Sequence, residues 1–455
     1  MLLDELLAPL SQDPLPKIEV TGIETNSLKV RPGDVFFALT GHVSDGHAYI
    51  EEAIERGAVA IVGTKPLTSL KVPYIQVKDS RKAVAIAAKR YYNNPSATKT
   101  VIGITGTNGK TTTSFYLKEM LEKAGKKCAL FGTVQYIING QELPSPNTTP
   151  DSLNFQRMLH ESQDDVVIME VSSHGIDQLR IEGIEFDFAV FTNLDQDHLD
   201  YHGTMEEYFQ VKAKLFDQLK PAGVAVVWTE GYWGRRIAEK LEHESHHVLE
   251  LSKDAVARFA DTNIPFHNQI NAVLAAAIAK KMIVEEQVVE RVIKEFSGVP
   301  GRFEVIHVSG NRHVVIDYAH TADAFTQVLA SVRKLAKGQV IHVFGFRGGR
   351  DETKRQAMIE ASEKGSDIQV LTFDDLNGLP VQDMRNQLQK LKFTGIRIDD
   401  RTKAIAYALE QACSGDWVVI TGKGNELYRD LYSAPCQTDN ETVDWYFKRE
   451  KSNSI

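Results

Sequence analysis

Residues 103–117, "GITGTNGKTTTSFYL", constrain this chain more than any other stretch. An apolar run, "TVI", enters a glycine-rich turn that carries Lys110 and three consecutive threonines, and the amphipathic pattern "KEMLEKAG" follows. Strand, tight turn and helix in that order make a phosphate cradle. Backbone N–H groups freed by glycine, the positive end of the helix, the Lys110 ammonium and a Thr111 hydroxyl suited to Mg²⁺ converge on polyphosphate oxygens. The cradle runs through Gly106, Thr107, Asn108, Gly109, Lys110, Thr111 and Thr112. The formal spacing of such loops is missed by one position, because Gly103 lies six residues before Gly109, and the strand–turn–helix context carries the assignment.

A phosphate loop of this kind sits in an α/β domain, and the 455 residues leave room for more than one. The hydrophobic share of 42% and the charged share of 25% are those of a globular chain, not a disordered one. A net charge of −9 argues against a nucleic-acid partner, which needs a basic face. The opening "MLLDELLAPLSQD" places Asp4 and Glu5 inside its apolar stretch and has no basic start, unlike a secretory signal. No later run reaches the roughly 18 apolar residues that span a bilayer. Cys128, Cys413 and Cys436 are scattered without metal-ligand spacing and read as reduced thiols. The expectation is a cytoplasmic monomer without membrane insertion.

Two stretches rich in Pro, Gly and small polar residues, "YYNNPSATKT" at 91–100 and "FSGVPGRFEV" at 296–305, divide the chain. They predict three domains, 1–97, 98–299 and 300–455. The first alternates short apolar runs ("DVFFAL", "VAIVG", "YIQV") with helical patterns; the other two repeat the alternation with strands apolar enough for parallel sheets buried on both faces. Polar residues recur where those strands end. Glu170 closes "DDVVIMEVSSHG", Asn193 and the acids and His after it follow "FAVFTN", Asp317 closes "HVVID", "FGFRGGRDETKR" opens an arginine-rich loop, and "WVVITGKGNE" runs to Gly422 and Glu426. Ligands of doubly wound sheets lie just beyond the carboxyl ends of the strands, so these residues outline a site.

"GTMEEYFQVKAKLFDQL" predicts a helix through Leu219 with an apolar stripe of Met205, Tyr208, Phe209, Leu215, Phe216 and Leu219. Lys212 falls on that stripe and Lys214 on the polar face. An unpaired ammonium on a buried face is costly, so Lys212 is snorkelling, paired or chemically altered; periodicity alone favours snorkelling.

Together the motifs "TGTNGKTTT", "NTTP", "EVSSHGIDQLR", "FTNLDQDHLDYHGTMEEYFQVKAKLF", "HNQINAVLAAA", "VPGRFE", "DYAHTADA", "GRDETKR" and "GKGNE" resemble the Mur ligases across essentially the whole chain. Within that family they resemble the type that adds the third amino acid to UDP-N-acetylmuramoyl-L-alanyl-D-glutamate. The resemblance implies an N-terminal domain for the UDP moiety, a central P-loop ATPase and a C-terminal Rossmann-like domain for the incoming amino acid. It implies ATP and Mg²⁺, an acyl phosphate formed on the substrate carboxylate, and attack by the amino group. By position, Lys110 and Thr111 would meet the β- and γ-phosphates and Mg²⁺, Glu170 and His198 would ligate magnesium, and Lys212 would carry a carbamate. Asn271 and Asp317 resemble adenine and ribose contacts, and Arg302 and Lys354 phosphate contacts. Ser27 resembles a uracil-site residue; Asn147, Thr148, Thr149, Ser172 and Arg180 resemble muramoyl-dipeptide contacts. Arg350, Asp374, Gly422 and Glu426 resemble the amino-acid pocket. A folylpolyglutamate-type ligase fits "NTTP" and the "DHLDYHGTMEEYF" stretch poorly, and a silent scaffold subunit would be expected to have lost Lys110, Glu170, His198 or Lys212.

The departures lie mainly in the C-terminal domain. "GFRGGRD" stands where the family usually has "GCGGDRD", "GKGNE" stands for "GKGHE", and "DDLN" at 374–377 stands where diaminopimelate-adding members have "DNPR". Leu28 replaces an arginine of the uracil motif. With Asn377 in place of the arginine that grips a distal carboxylate, the expectation is that diaminopimelate is not favoured, unless Arg347 of the altered loop has taken over. The identity of the amino acid, and a modified acceptor in a related pathway, stay open at this stage.

Overall fold

The computed structural model describes all residues except 12–13, 42–43, 258–263, 309, 431 and 454–455, and the side chains of 451–453 are left aside. The chain folds as three α/β domains in sequence, each around its own sheet. The N-terminal sheet is four-stranded and parallel in the order β1 (Gly22–Glu24), β2 (Asp34–Phe37), β3 (Ala60–Gly63), β4 (Tyr74–Gln76). Buried side chains cover both of its faces, Leu3, Leu6, Val35 and Phe37 in one cluster and Phe36, Ile50, Ala53 and Ile61 in another.

Eight strands make the central sheet: β5 (Thr100–Thr105), β6 (Cys128–Phe131), β7 (Tyr136–Ile138), β8 (Gln141–Leu143), β9 (Val166–Glu170), β10 (Phe186–Phe191), β11 (Leu219–Trp228) and β12 (His247–Leu251). Their spatial order is β12-β11-β10-β5-β9-β6-β7-β8, parallel except for the pairs made by β7. The β5 strand, which feeds the P-loop, lies between β9 and β10, so the carboxyl ends of all three strands share one crevice. The C-terminal sheet is ordered β13-β14-β18-β15-β16-β17, from β13 (Glu304–Val308), β14 (Arg312–Asp317), β15 (Val340–Phe346), β16 (Ile368–Phe373), β17 (Ile396–Arg397) and β18 (Trp417–Thr421), and only β13 runs antiparallel to its neighbour. Strands buried on both faces explain the continuous apolar runs of "VVIME", "FAVF" and "WVVIT".

Two expectations are corrected here. The helix after Gly203 covers only Met205–Ala213, capped by Thr204 and Glu207; the chain then makes a 3₁₀ turn at Phe216–Gln218 and enters β11 at Leu219. Pro221 cannot continue a helix and disfavours helical geometry before it, while Leu215 and Phe216 are drawn into the core. Gly103, counted in the loop spacing, is a strand residue: an added Cβ would meet the Phe186 ring at 2.8 Å. The turn proper starts at Gly106 and ends at Gly109, both at positive φ (147° and 87°). Among the described residues, no helix is long and apolar enough to cross a membrane.

Candidate active site

The P-loop is held by the end of β10. Asn193 O accepts from Thr107 N (3.0 Å), its side-chain Oδ1 from Asn108 N (2.9 Å), and Thr192 Oγ1 donates to Asn108 O (2.6 Å). From the other side Asn271, buried on the helix Phe266–Lys281, packs so close that a Cβ on Gly109 would lie 2.3 Å from its Oδ1. Asn271 thus braces the loop, and its Oδ1 lies 3.4 Å from Thr113 Oγ1.

Lys110 opens the following helix, Lys110–Lys123, and folds back so that Nζ donates to Gly106 O (2.9 Å) and Thr107 O (3.0 Å). Lys212 reaches the same carbonyl from the helix Met205–Ala213, Nζ to Gly106 O at 2.9 Å, with its ammonium 4.7 Å from the Tyr208 ring centre. At 1% exposure Lys212 does not snorkel; the apolar stripe carries it inward to the loop. Burial, and then the neighbouring Lys110, push its amine well below the usual lysine range. Lys110 is lowered by burial too, against Glu170. Lys214 caps the helix and is exposed.

Glu170, fully buried at the end of β9, accepts from Thr111 Oγ1 (2.9 Å), Thr133 Oγ1 (3.0 Å) and Thr133 N (3.0 Å). A carboxylate beside a threonine hydroxyl is a hard-oxygen pair fit for Mg²⁺. His198, at φ 54° after β10, has its imidazole lowered by burial to about 3 and is therefore a neutral nitrogen donor. Among the described residues no group of three or more His, Cys, Asp or Glu side chains converges as a ready cage. Thr111 and Glu170 would hold a magnesium ion together with oxygens of a bound polyphosphate, and Lys212 would join them only as a carbamate, since neither an ammonium nor a neutral amine supplies an oxygen ligand.

The C-terminal domain closes over this crevice through contacts the sequence reading had not assigned. Asp197 receives Lys354 Nζ at 2.7 Å and His320 Nε2 at 3.2 Å, beside His198 at 3.3 Å. Against the upward push of burial, these neighbours, His320 first, hold the Asp197 carboxyl well below the usual range. Arg302 lies over the Tyr318 ring (3.9 Å) and points Nη2 toward Thr111 Oγ1 at 3.5 Å. Asp317 accepts from Phe303 N and Ala319 N, both at 2.6 Å, and burial raises it. Asp197 carried a signal, as a second acid after the β10 run, but only the three-dimensional arrangement reveals its partners.

The remaining residues fall into three places. Thr148 and Thr149 line up along Glu170: Thr149 Oγ1 donates to Glu170 O (2.9 Å) and lies 3.1 Å from Ser172 Oγ, Arg180 Nη1 donates to Thr149 O (2.8 Å), Thr148 Oγ1 is 3.2 Å from Thr133 Oγ1, and Tyr136 OH holds Asn147 O. Ser27 sits apart in the N-terminal domain, its hydroxyl on Glu52 (2.8 Å). Asp374, Gly422 and Glu426 meet at the carboxyl ends of β16 and β18, with Arg350 exposed at the rim. Here Arg347 donates through Nε to Asp374 (3.3 Å) and through Nη2 to Glu426, whose other oxygen accepts from Tyr318 OH (2.7 Å). Asn377, at φ 50°, donates to Gly348 O (3.0 Å), so the residue that replaces the expected arginine staples the two altered loops together.

A P-loop sheet followed by a Rossmann-like domain that clamps its mouth defines an ATP-dependent ligase fold. The chain belongs to the Mur ligase family: residues 19–92 match the Mur ligase family catalytic domain, 104–305 the Mur ligase middle domain, and 301–424 the Mur ligase glutamate ligase domain. It is 40% identical to the UDP-N-acetylmuramoyl-L-alanyl-D-glutamate--2,6-diaminopimelate ligase of Aquifex aeolicus, covering 90% of each chain, and 38% identical to that of Geobacillus thermodenitrificans over 93% of this chain and 94% of the relative. A solved structure with that same enzyme description superposes with a TM-score of 0.67 at 28% identity, over 100% of this chain and 99% of the other. The MurF ligase of Thermotoga maritima shares the fold at 20% identity and a TM-score of 0.67, over 96% of this chain and 99% of the other.

Proposed function

We propose that the chain joins 2,6-diaminopimelate to the terminal carboxylate of UDP-N-acetylmuramoyl-L-alanyl-D-glutamate, at the expense of ATP, as a cytoplasmic step of peptidoglycan precursor synthesis. The relatives' names supply the substrates. The observation that carries the chemistry is the pairing of Lys110 and Lys212 on the single carbonyl of Gly106, with Arg302 and Lys354 arriving from the next domain. Basic side chains gathered from two domains around one phosphate loop fit a polyanionic ligand.

The reaction brings two anions together, a carboxylate and a γ-phosphate, and the residues act on that repulsion. Lys110 leaves the loop carbonyls to meet charge that develops on the transferring phosphoryl group. Magnesium, held by Thr111 and Glu170 with His198 near, would neutralise phosphate oxygens when bound. Burial, and then Lys110, lower the Lys212 amine, which favours the uncharged form that adds to CO₂ with loss of a proton; its carbamate would be an anion in place of a cation. Arg302 and Lys354 bind nucleotide phosphates, and Asp317 the ribose, only when the C-terminal domain is docked, which couples closure to catalysis. Thr148, Thr149, Ser172 and Arg180 orient the peptide carboxylate beside Glu170. Ser27 belongs to the uridine end. Once the acyl phosphate has formed, the amine adds to the acyl carbon and phosphate leaves.

The reading is tested by ADP release with UDP-muramoyl dipeptide and a panel of amino acids, with product masses read directly and folate-type acceptors as the control. ADP release that depends on diaminopimelate supports it. Release with folate-type acceptors alone, or with no amino-acid dependence, overturns it.

A further inference from the structure

Diaminopimelate differs from lysine by one carboxylate, on the carbon that also bears the distal amine. That end is zwitterionic, and a pocket that recognises it needs an oriented cation for the carboxylate and an anion for the ammonium. Several cations collect at the carboxyl ends of β15, β16 and β18, and most are already committed. Lys423 is fully buried on Asp375 (2.7 Å), and Arg401, equally buried, is bidentate on Asp439 (2.7 Å each). Asn377 is committed to Gly348 O.

Arg347 is placed differently. Two carboxylates, Asp374 and Glu426, take its Nε and Nη2, while the side chain stays 20% exposed. Those carboxylates are themselves fixed: Glu426 by Tyr318 OH, and Asp374 by its own backbone N–H on Phe346 O (3.1 Å) with Arg401 Nη1 3.9 Å away. The guanidinium is therefore oriented before a ligand arrives and keeps N–H donors for one, with two anions beside it for an ammonium.

Resting on the diaminopimelate reading above, we propose that Arg347 is the specificity-determining residue that takes the distal carboxylate of the incoming amino acid, while Glu426 and Asp374 take the ammonium on the same carbon. The altered "GFRGGRD" loop then compensates for Asn377, and the expectation that Asn377 turns diaminopimelate away no longer follows. A pocket with one guanidinium and two carboxylates accepts the zwitterion at both poles, whereas lysine satisfies only the anions.

The test is the ratio of kcat/KM for meso-diaminopimelate over lysine in the full-length enzyme, with UDP-muramoyl dipeptide saturating. The native enzyme is expected to favour diaminopimelate at least tenfold. In Arg347→Gln the KM for diaminopimelate should rise about 10- to 150-fold, the range for a lost charge-assisted bidentate contact, with the loss in KM more than in kcat. Arg347→Lys keeps the charge and the ion pairs but not the fork, and should fall between; it decides the question if Arg347→Gln does not fold, as judged by ADP binding. A diaminopimelate-to-lysine ratio within threefold of the native one in whichever folded variant is read, or a native preference for lysine, overturns the assignment. A native enzyme that ligates no amino acid to UDP-muramoyl dipeptide instead overturns the reading on which it rests.

Discussion

The mouth of the P-loop and the pocket at the end of the C-terminal sheet both lie beyond the carboxyl ends of parallel strands, yet different atoms hold them. The P-loop is fixed largely through main-chain groups: Gly106 O, Thr107 O, Asn108 O and Asn193 O accept or bridge its contacts. The pocket is fixed by charged side chains: Arg347, Asp374 and Glu426, backed by Arg401–Asp439 and Lys423–Asp375. A loop that cradles phosphate meets the same ligand in every homologous fold, and main-chain groups are the part of it that substitution does not remove. A pocket that reads one amino acid depends on side chains, and those are exchanged one at a time. The departures "GFRGGRD", "DDLN" and "GKGNE" all fall in the second region.

The largest effect should come from removing the one side-chain cation that the P-loop itself contributes. Lys110→Ala is expected to lower amino-acid-dependent ADP release by about 10³-fold or more with little change in thermal stability, because its ammonium meets charge present only during transfer. Retention within about tenfold, only ~1.4 kcal/mol, would sink the role and the contrast with it. Lys212→Ala should follow, down by at least about 10²-fold, with partial rescue by acetate or formate standing in for a carbamate. Lys214→Ala, exposed two residues on, should stay within about 0.5 kcal/mol in stability and close to native in rate. A high-resolution map with a free Lys212 ammonium in fully active enzyme would remove the carbamate.

What the sequence disclosed follows the same divide. Thr111 was readable from the phosphate loop and Glu170 from its strand end, and the two sit side by side at 2.9 Å. Gly422 and Glu426 were readable as strand ends and Asp374 only through the family resemblance, but not the guanidinium between Asp374 and Glu426. Asp197 carries no periodic signal that names Lys354 or His320, which are over a hundred residues away and in another domain. Gly103 looked like part of the loop because glycine serves both turns and close packing, and only the Phe186 ring against it tells which. Lys212 was legible as an anomaly; its partner, a backbone carbonyl, has no sequence signature.

The side-chain scaffold of the pocket can be broken from behind. Arg401 is wholly buried, bidentate on Asp439, and also donates to Thr421 O (2.9 Å) at the end of β18. Arg401→Met would strand the buried Asp439 without its cation and should cost the C-terminal domain about 3–5 kcal/mol. Hydrogen exchange of the β18 amides, Trp417 to Thr421, reads that loss locally, where a whole-chain melt of three domains would blur it. Unchanged protection there would mean that packing, not the ion pair, holds the pocket.

A smaller effect than these losses is expected where the P-loop meets the C-terminal domain. Asp195 takes its backbone N–H to Thr107 Oγ1 (3.0 Å) and lies 3.4 Å from Asn108 Nδ2, and across the domain boundary it meets Asp323 of the helix Ala322–Leu335. Burial, and then the Asp323 carboxylate, push Asp195 up to about 7, with Asp197 adding in the same direction, so the pair shares a proton in the docked state. The sign follows from linkage: a carboxyl raised on folding gives stability that is full below its unfolded value near 4 and is lost as pH rises through about 7. Between pH 6 and 7 the native protein should therefore lose roughly 1 kcal/mol of domain docking relative to Asp195→Asn, whose amide cannot ionise. Docking can be read as hydrogen-exchange protection of the Ala322–Leu335 helix or as ADP affinity at the two pH values. If Asp195→Asn shows the native pH profile, the carboxyl pair is not the junction's titrating element, and the Asp197 knot with Lys354 and His320 holds the two regions together without it.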